Sequence, residues 1–138
     1  MKRAVLIFLT VLGVLLVLAP FFPPIFRAMG MERLAAITDA PWTLTCHRIP
    51  ERTMSFLGTK MAMCSRCTGI VTGLGLGLII GRPYRGPKQL WITLGIASVL
   101  MFIEMVVIDK SWHSTRLFTG FLLAYPVAAA VRALARRG

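Results

Sequence analysis

The sequence contains few acidic residues and few charged residues of any kind. Of its 138 residues, five are Asp or Glu and 16 are Lys or Arg, so 15% are charged and the formal net charge is +11. Hydrophobic residues make up 57% and the mean hydropathy is +0.74, above the range of soluble domains, which predicts a single domain in a membrane. Nucleic-acid-binding domains carry their basic residues on one soluble face, but here these residues separate apolar runs, so no nucleic-acid partner is predicted.

A complete set of intrachain disulfides is excluded, because the three cysteines are an odd number. At least one cysteine must be free, bound to a ligand or paired outside the chain. A clear small-x-small cleavage motif is also missing after the first apolar run, which follows Lys2 and Arg3. We therefore predict an uncleaved membrane anchor rather than a removed signal peptide.

Four apolar runs predict an all-α integral membrane protein that forms one domain over residues 1–138. At ~1.5 Å per residue, a run of about 20 residues crosses a hydrocarbon layer of ~30 Å. The predicted spans are 4–22, 64–80, 90–108 and 117–131, and the mixed segment 27–63 is predicted to form an interfacial helical loop between the first two spans.

The charge distribution predicts the orientation in the cell membrane. Eight Lys and Arg residues fall on each side of the four predicted spans, but those on the side of the two termini sit in short segments without acids. We therefore predict a multi-pass protein with cytoplasmic N- and C-termini. The opposite face receives every cysteine and histidine together with several charged side chains: Cys46, Cys64, Cys67, His47, His113, Arg48, Arg52, Arg66, Asp109, Lys110 and Arg116. This grouping predicts one polar site at that face.

The Cys64-x-x-Cys67 pair is the strongest indication of a metal site. Both sulfurs reach one ion whether the residues lie in a turn or one helical turn apart, and a closed zinc site needs four nitrogen or sulfur ligands. Cys46 with either His47 or His113 would complete the set. Adjacent residues share a metal only through an awkward local turn, which keeps His113 in competition with His47. The predicted cofactor is zinc, with iron as the alternative.

Redox chemistry is the second interpretation of the cysteine pair. At a helix N-terminus beside Arg66, a thiolate is favoured by the helix dipole and by the guanidinium, which lowers the thiol pKa. An oxidising compartment would favour a disulfide over a zinc thiolate. The alternative function is therefore a thiol-disulfide oxidoreductase that uses Cys64 and Cys67, with Cys46 passing electrons onward. A small transporter or channel that uses Glu104 and the arginines is a third function class.

Arginines near the cysteines indicate an anionic ligand. Guanidinium groups clamp phosphate or carboxylate through paired hydrogen bonds, although a basic residue at a membrane edge is also an ordinary headgroup anchor. Glu104 lies inside the third predicted span, where an ionised carboxylate is costly and a paired or functional role is expected. Asp109 lies at the boundary, where it would pair with Arg116 or orient a histidine. These residues predict a metal-dependent membrane hydrolase or transferase that acts on an anionic lipid or lipid-linked phosphate, with Arg52, Arg66, Arg116, Glu104 and Asp109 as catalytic candidates.

Small residues recur at every fourth position in two of the predicted spans. They are Gly69, Gly73 and Gly77 in the second span and Gly120, Ala124 and Ala128 in the fourth. Small residues let helix backbones approach closely, so the two spans are predicted neighbours within the chain. The same faces would also serve a homo-oligomer.

Three sequence motifs, CHRIPERT, MCSRCTGIVTG and RLFTG, together resemble the signature of a family of small predicted membrane proteins, domain of unknown function 2085. The resemblance covers roughly residues 40–125. Val71 stands where the family motif has an aromatic residue, and SWHSTR lacks the asparagine expected shortly before the arginine. The resemblance implies which residues matter without implying an activity: Cys46, His47, Pro50, Arg52, Cys64, Arg66, Cys67, Gly69, Arg116 and Gly120.

Overall fold

A computed structural model describes residues 2–81, 86–107 and 112–137. Six α-helices make up most of this part: α1 (Lys2–Leu18), α2 (Phe22–Ala28), α3 (Glu32–Thr43), α4 (Ser65–Ile80), α5 (Pro87–Val107) and α6 (His113–Arg137). Two short 3-10 helices, Ala19–Phe21 and Pro50–Arg52, lie between them, and β1 (Ser55–Phe56) pairs with β2 (Thr59–Lys60) in a small antiparallel hairpin. The predicted all-α class is confirmed.

Three helical segments of the described chain are long and apolar enough to cross a membrane. They are Lys2–Ala28, Pro87–Val107 and His113–Arg137. The segment Ser65–Ile80 is apolar but has 16 residues, or about 24 Å of helix, which is less than a hydrocarbon layer of about 30 Å. A multi-pass arrangement is therefore supported, whereas the exact number of four spans stays a prediction.

The first and last helical segments extend beyond the predicted spans. The N-terminal helix continues past residue 22 because Pro20, Pro23 and Pro24 occupy first-turn positions of the two segments that follow α1, where proline removes no helical hydrogen bond. At the other end, α6 includes the basic tail through Arg137, since alanine and arginine are strong helix formers. By contrast, α4 stops at Gly81, whose φ of 55° gives a left-handed C-cap.

The predicted interfacial loop is more ordered than its composition suggests. Its first part forms the helix α3, and Thr38 and Asp39, residue types that favour helix N-caps, both lie inside this helix. The hairpin between β1 and β2 turns at Leu57 and Gly58, both of which have positive φ, as tight hairpin turns require.

Helices α4 and α6 pack against each other in parallel, as the small-residue pattern predicts. A Cβ atom on Gly73 would lie 2.8 Å from the Phe121 carbonyl oxygen, and one on Gly77 would lie 2.7 Å from the Tyr125 carbonyl oxygen. Nearer the start of α4, Gly69 touches the Leu117 backbone in the same way. Both helices therefore begin at the same end of the bundle.

Helix α1 runs antiparallel to α4, so its first residues lie at the end of the bundle opposite to the start of α4. Gly13 packs against Gly75, and the Arg132 guanidinium donates hydrogen bonds to Thr10 Oγ1 (2.9 Å) and to the Leu78 carbonyl oxygen. Consequently the start of α1 and the last turns of α6 share one end of the bundle, while the starts of α4 and α6 lie at the other end. Most of α1 and α5 is exposed apolar surface, as expected for helices that face lipid.

Candidate functional site

Three cysteines meet at the end of the bundle where α4 and α6 begin. Cys46 follows α3, Cys64 is the residue before α4, and Cys67 lies in the first turn of α4. Their sulfur atoms lie within 4.8 Å of one another, and all three are free thiols. Cys64 has an extended backbone (φ −65°, ψ 157°), and its N–H donates a hydrogen bond to Cys46 Sγ over 3.3 Å. The structure thus confirms that the segments carrying these cysteines converge.

An apolar shell surrounds the sulfur atoms. Cys46 is 8% exposed and forms a small core with Ala62 and Met63, against which Trp42, Val71 and the other two cysteines pack. The Cys46 N–H donates to the Trp42 carbonyl oxygen over 3.1 Å, which fixes the turn that leaves α3. Val71, the residue at the aromatic position of the motif, therefore has a packing role beside the cysteines.

The two histidines lie outside the three-sulfur group. The His47 side chain is exposed, and His113 is half-buried with Nδ1 3.4 Å from Ser65 Oγ. Within residues 2–81, 86–107 and 112–137, only Cys46, Cys64 and Cys67 bring ligand atoms together in this way. The predicted ligand role of either histidine stays a prediction.

The cysteines differ in their protonation. The pKa of Cys64 falls from its ordinary 9.0 to about 5, chiefly because the neighbouring Cys67 thiol donates a hydrogen bond that stabilises the Cys64 thiolate. Burial of the Cys64 sulfur opposes this change, whereas the backbone N–H of Cys67, the Cys46 side chain and the backbone of Arg66 add to it. The direction agrees with the sequence prediction, but the Arg66 guanidinium is not the cause.

Glu104 joins two of the predicted site arginines. Its carboxylate is 5% exposed and accepts hydrogen bonds from Thr119 Oγ1 (2.7 Å) and Arg66 Nη2 (3.3 Å). Arg116 Nε lies 3.8 Å from Glu104 Oε1, close enough for an ion pair. The predicted pairing of Glu104 with an arginine is therefore confirmed.

Arg52 completes a group of three arginines at this end of the bundle. Arg116 interacts electrostatically with Arg52, Arg66, Glu104 and Cys64, so the arginines and Cys64 belong to the same charged region of the protein. The Arg52 side chain is exposed, and its carbonyl oxygen accepts a hydrogen bond from Ser65 Oγ over 3.1 Å. Asp109 and Lys110, which the sequence assigns to the same face, lie outside the described residues.

A second ion cluster holds the cysteine segments together, and the sequence did not indicate it. Asp39 is 6% exposed and accepts hydrogen bonds from Arg27 (Nη2 to Oδ2, 2.7 Å) and from Arg48. Arg48 Nε also donates to the Ala62 carbonyl oxygen over 3.1 Å, two residues before Cys64. The scarcity of acidic residues was the sequence feature that could have indicated this cluster, because each carboxylate in so basic a chain has many potential arginine partners.

Comparison with known proteins assigns a family to the chain. The family described as "Predicted membrane protein (DUF2085)" matches residues 46–130, which include every predicted site residue. An uncharacterized protein of Methanocaldococcus jannaschii, MJ1492, is 27% identical over 119 residues, covering 80% of this chain and 76% of that protein.

A second relative shares a short stretch. An uncharacterized protein of Methanothermobacter thermautotrophicus is 64% identical over 28 residues, 20% of this chain and 25% of that protein. No solved structure matches the chain. The family match covers more than half of the sequence, and the protein is therefore a member of the DUF2085 family of predicted membrane proteins.

Proposed function

We propose that this membrane protein binds a metal ion through Cys46, Cys64 and Cys67, with zinc preferred over iron. The observation that carries the proposal is the approach of three free thiols to within 4.8 Å of one another. Tetrahedral zinc with Zn–S bonds of ~2.3 Å needs sulfur atoms about 3.8 Å apart, so a small inward movement suffices. The Cys64 N–H at Cys46 Sγ and the lowered Cys64 pKa both favour the thiolate form that a metal requires.

The fourth ligand decides whether the site is structural or catalytic. A histidine at that position, either His47 or His113, would close the site and hold the segment after α3 against the start of α4. Water or substrate there would give a catalytic site, in which zinc supplies Lewis-acid chemistry. Arg52, Arg66 and Arg116 would then hold an anionic lipid or lipid-linked phosphate, and the activity would be that of a metal-dependent hydrolase or transferase.

Metal analysis combined with thiol counting tests the proposal. Protein purified gently in detergent should contain about one zinc or iron per chain, and three thiols should become reactive under denaturing conditions only after chelation. Cys64→Ser should lower the metal content, whereas Ser114→Ala, an exposed control in the first turn of α6, should leave it unchanged. A metal-free protein with a single reactive thiol would mean a disulfide and would overturn the proposal.

A thiol-disulfide oxidoreductase is the second candidate, favoured by the unequal thiols. Cys64 with a pKa of about 5 would be the nucleophile, and Cys67 would supply the second sulfur. Oxidation of the Cys64 thiolate and the Cys67 thiol would form one S–S bond, release the Cys67 proton and pass two electrons to a two-electron acceptor such as a quinone, which would take its second proton from water. This candidate requires one cysteine pair to change redox state while the protein stays folded, with no metal bound.

The distribution of Lys and Arg supports the same membrane orientation in the folded protein as in the sequence. The start of α1 and the last turns of α6 share one end of the bundle, and the basic segments there carry no acids. We assign that end to the cytoplasm and the cysteine end to the opposite side of the cell membrane. With labelling read from the peptide that carries the introduced cysteine, so that Cys46, Cys64 and Cys67 do not interfere, a cysteine at exposed Lys2 should be labelled only from inside, and one at exposed Ser55 only from outside.

A further inference from the structure

We propose that Arg52, Arg66 and Arg116 form a binding site for a phosphate group, and that Glu104 positions two of the three guanidiniums. The inference deepens the proposed function and rests on it, because the phosphate group is the part of the substrate that would lie beside the metal. Its own support comes from charge, from the arrangement of the arginines and from their depth in the membrane.

The side chains of this group carry more positive than negative charge. Two guanidiniums, those of Arg66 and Arg116, contact the Glu104 carboxylate, and Arg52 adds a third positive charge that acts on Arg116, so the excess outside the thiols is two positive charges. A net positive charge in a partly buried position favours an anionic ligand, since the desolvated guanidiniums lose much of their hydration. The first turns of α4 and α6, which pack side by side in parallel, add the positive ends of two helix dipoles.

The three arginines come from three different elements of the fold. Arg52 ends the 3-10 helix Pro50–Arg52, Arg66 lies in the first turn of α4, and Arg116 lies in the first turn of α6. A tetrahedral phosphate presents oxygens in several directions and suits donors that approach from several sides, whereas a planar carboxylate is satisfied by one or two. The arrangement therefore favours phosphate over carboxylate.

Glu104 uses only part of the donor capacity of these arginines. It takes one hydrogen bond from Arg66, and its contact with Arg116 Nε is 3.8 Å, beyond hydrogen-bond distance. The Nε atoms of Arg66 and Arg116 are buried without a hydrogen-bond partner among the described residues. A carboxylate that anchors two guanidiniums without satisfying all of their donors acts as a positioning residue.

The depth of the site indicates the headgroup region of the bilayer. Trp112, which precedes α6, is 71% exposed, and tryptophan is enriched at membrane interfaces. Arg116 lies about one helical turn further along the same helix. A phosphate at this level would come from a lipid headgroup or from solution, and the two sources share the same recognition chemistry.

The test measures binding of inorganic phosphate by calorimetry and of lipids by native mass spectrometry. The lipids are phosphatidic acid, phosphatidylglycerol and phosphatidylcholine, and the variants are Arg52→Ala, Arg116→Lys and the control Arg136→Ala. Arg52 is the primary target because its side chain is exposed and its structural hydrogen bond uses only its backbone. Arg136 is an exposed arginine at the far end of α6.

We expect Arg52→Ala to weaken phosphate or anionic-lipid binding about tenfold, the effect of losing one charge-assisted hydrogen bond, and Arg136→Ala to have no effect. Arg116→Lys should also weaken binding, because lysine keeps the charge but loses the paired donors. Binding of phosphatidic acid without inorganic phosphate would support a lipid source, and binding of both would support a general phosphate site. Equal losses in Arg52→Ala and Arg136→Ala, or equal binding of phosphatidylcholine, would overturn the inference.

Metal content measured on the same samples separates this inference from the proposed function. Wild-type protein that holds metal but binds no phosphate probe would overturn the phosphate site alone. Phosphate binding that depends on Arg52 in a protein without metal would support the phosphate site and overturn the metal proposal. Arg52→Ala itself should keep its metal, because its side chain is not among the sulfur ligands.

Discussion

Arg48 Nε donates a hydrogen bond to the Ala62 carbonyl oxygen over 3.1 Å and so ties the segment after Cys46 to the segment before Cys64. The same guanidinium reaches Asp39 in α3, and Arg27 at the end of α2 reaches the other carboxylate oxygen. Arg48 adopts a positive φ of 47°, which is unusual for a residue with a side chain. An ion cluster outside the cysteine site thus links the segments that carry Cys46 and Cys64.

Asp39→Asn should destabilise the protein by about 2 kcal/mol, because hydrogen bonds from two guanidiniums to a buried charged acceptor are lost or weakened. It should also lower metal affinity, since the segments that carry Cys46 and Cys64 lose their common anchor. Thermal unfolding in detergent and titration with a competing chelator measure the two effects.

The matched control for Asp39 is Glu32→Gln, which removes one carboxylate charge from the exposed first turn of the same helix. This control should change stability by only a few tenths of a kcal/mol. If Asp39→Asn and Glu32→Gln unfold at the same temperature and bind metal equally, the ion cluster does not support the site.

Gly69→Ala should separate α4 from α6, because the added Cβ atom would overlap the Leu117 backbone carbonyl. Forcing a methyl group into such a contact costs roughly 1–3 kcal/mol. Gly95→Ala in α5 is the control, since a Cβ atom there meets nothing within 4 Å, and it should be neutral or stabilising by up to about 1 kcal/mol. Thermal unfolding compares the two variants, and a Gly69→Ala protein as stable as wild type would contradict the close helix contact.

The helices and their main contact could be predicted from the sequence because each depends on a local pattern. Hydropathy marks the apolar segments, and the spacing of Gly69, Gly73 and Gly77 marks the face of α4 that meets α6. The approach of the three cysteines to one another could be predicted as well, because the predicted topology places all three at one membrane face. Helix ends were less predictable: proline in a first turn is compatible with continued helix, and a basic tail rich in alanine extends α6 beyond its apolar part.

The partners of individual side chains could not be predicted in the same way. Asp39 binds Arg27, 12 residues before it, and Arg48, 9 residues after it. The second contact follows a turn in which Arg48 has a positive φ. No periodic pattern encodes such a turn. Glu104 was identified because an acid within an apolar helix needs a partner, but Thr119 as its closest hydrogen-bond donor depends on the rotation of α6 about its axis.

Glu104→Gln should destabilise the protein by about 2 kcal/mol or more, because Arg66 and Arg116 would lose their shared counter-charge in a partly buried position. Glutamine keeps the size of the side chain and an acceptor for Thr119, so the change tests charge rather than packing. Thr119→Val removes only the hydrogen bond and should cost about 1 kcal/mol. Thermal unfolding of both variants is the measurement, and a smaller effect for Glu104→Gln than for Thr119→Val would contradict the role of charge.

The low pKa of Cys64 makes both its reactivity and part of the folding stability depend on pH. In metal-free protein, the alkylation rate of Cys64 should rise with pH, reach half its maximum near pH 5 and stay level above that. The folded-state pKa lies below the ordinary value of 9.0, so this thiolate contributes stability that is fully present above pH 9 and is lost as the pH falls through about 5.

Removing the Cys67 thiol tests whether this thiol lowers the pKa of Cys64. Cys67→Ala should move the midpoint of Cys64 alkylation upward, because the neighbouring thiol contributes most to the lowered pKa, and Cys46→Ala should move it upward by less. Iodoacetamide labelling followed by mass spectrometry of the Cys64 peptide measures each midpoint without interference from the remaining cysteine. A midpoint near pH 9 in the wild-type protein would show that Cys64 is an ordinary thiol, and the oxidoreductase candidate would then lose its nucleophile.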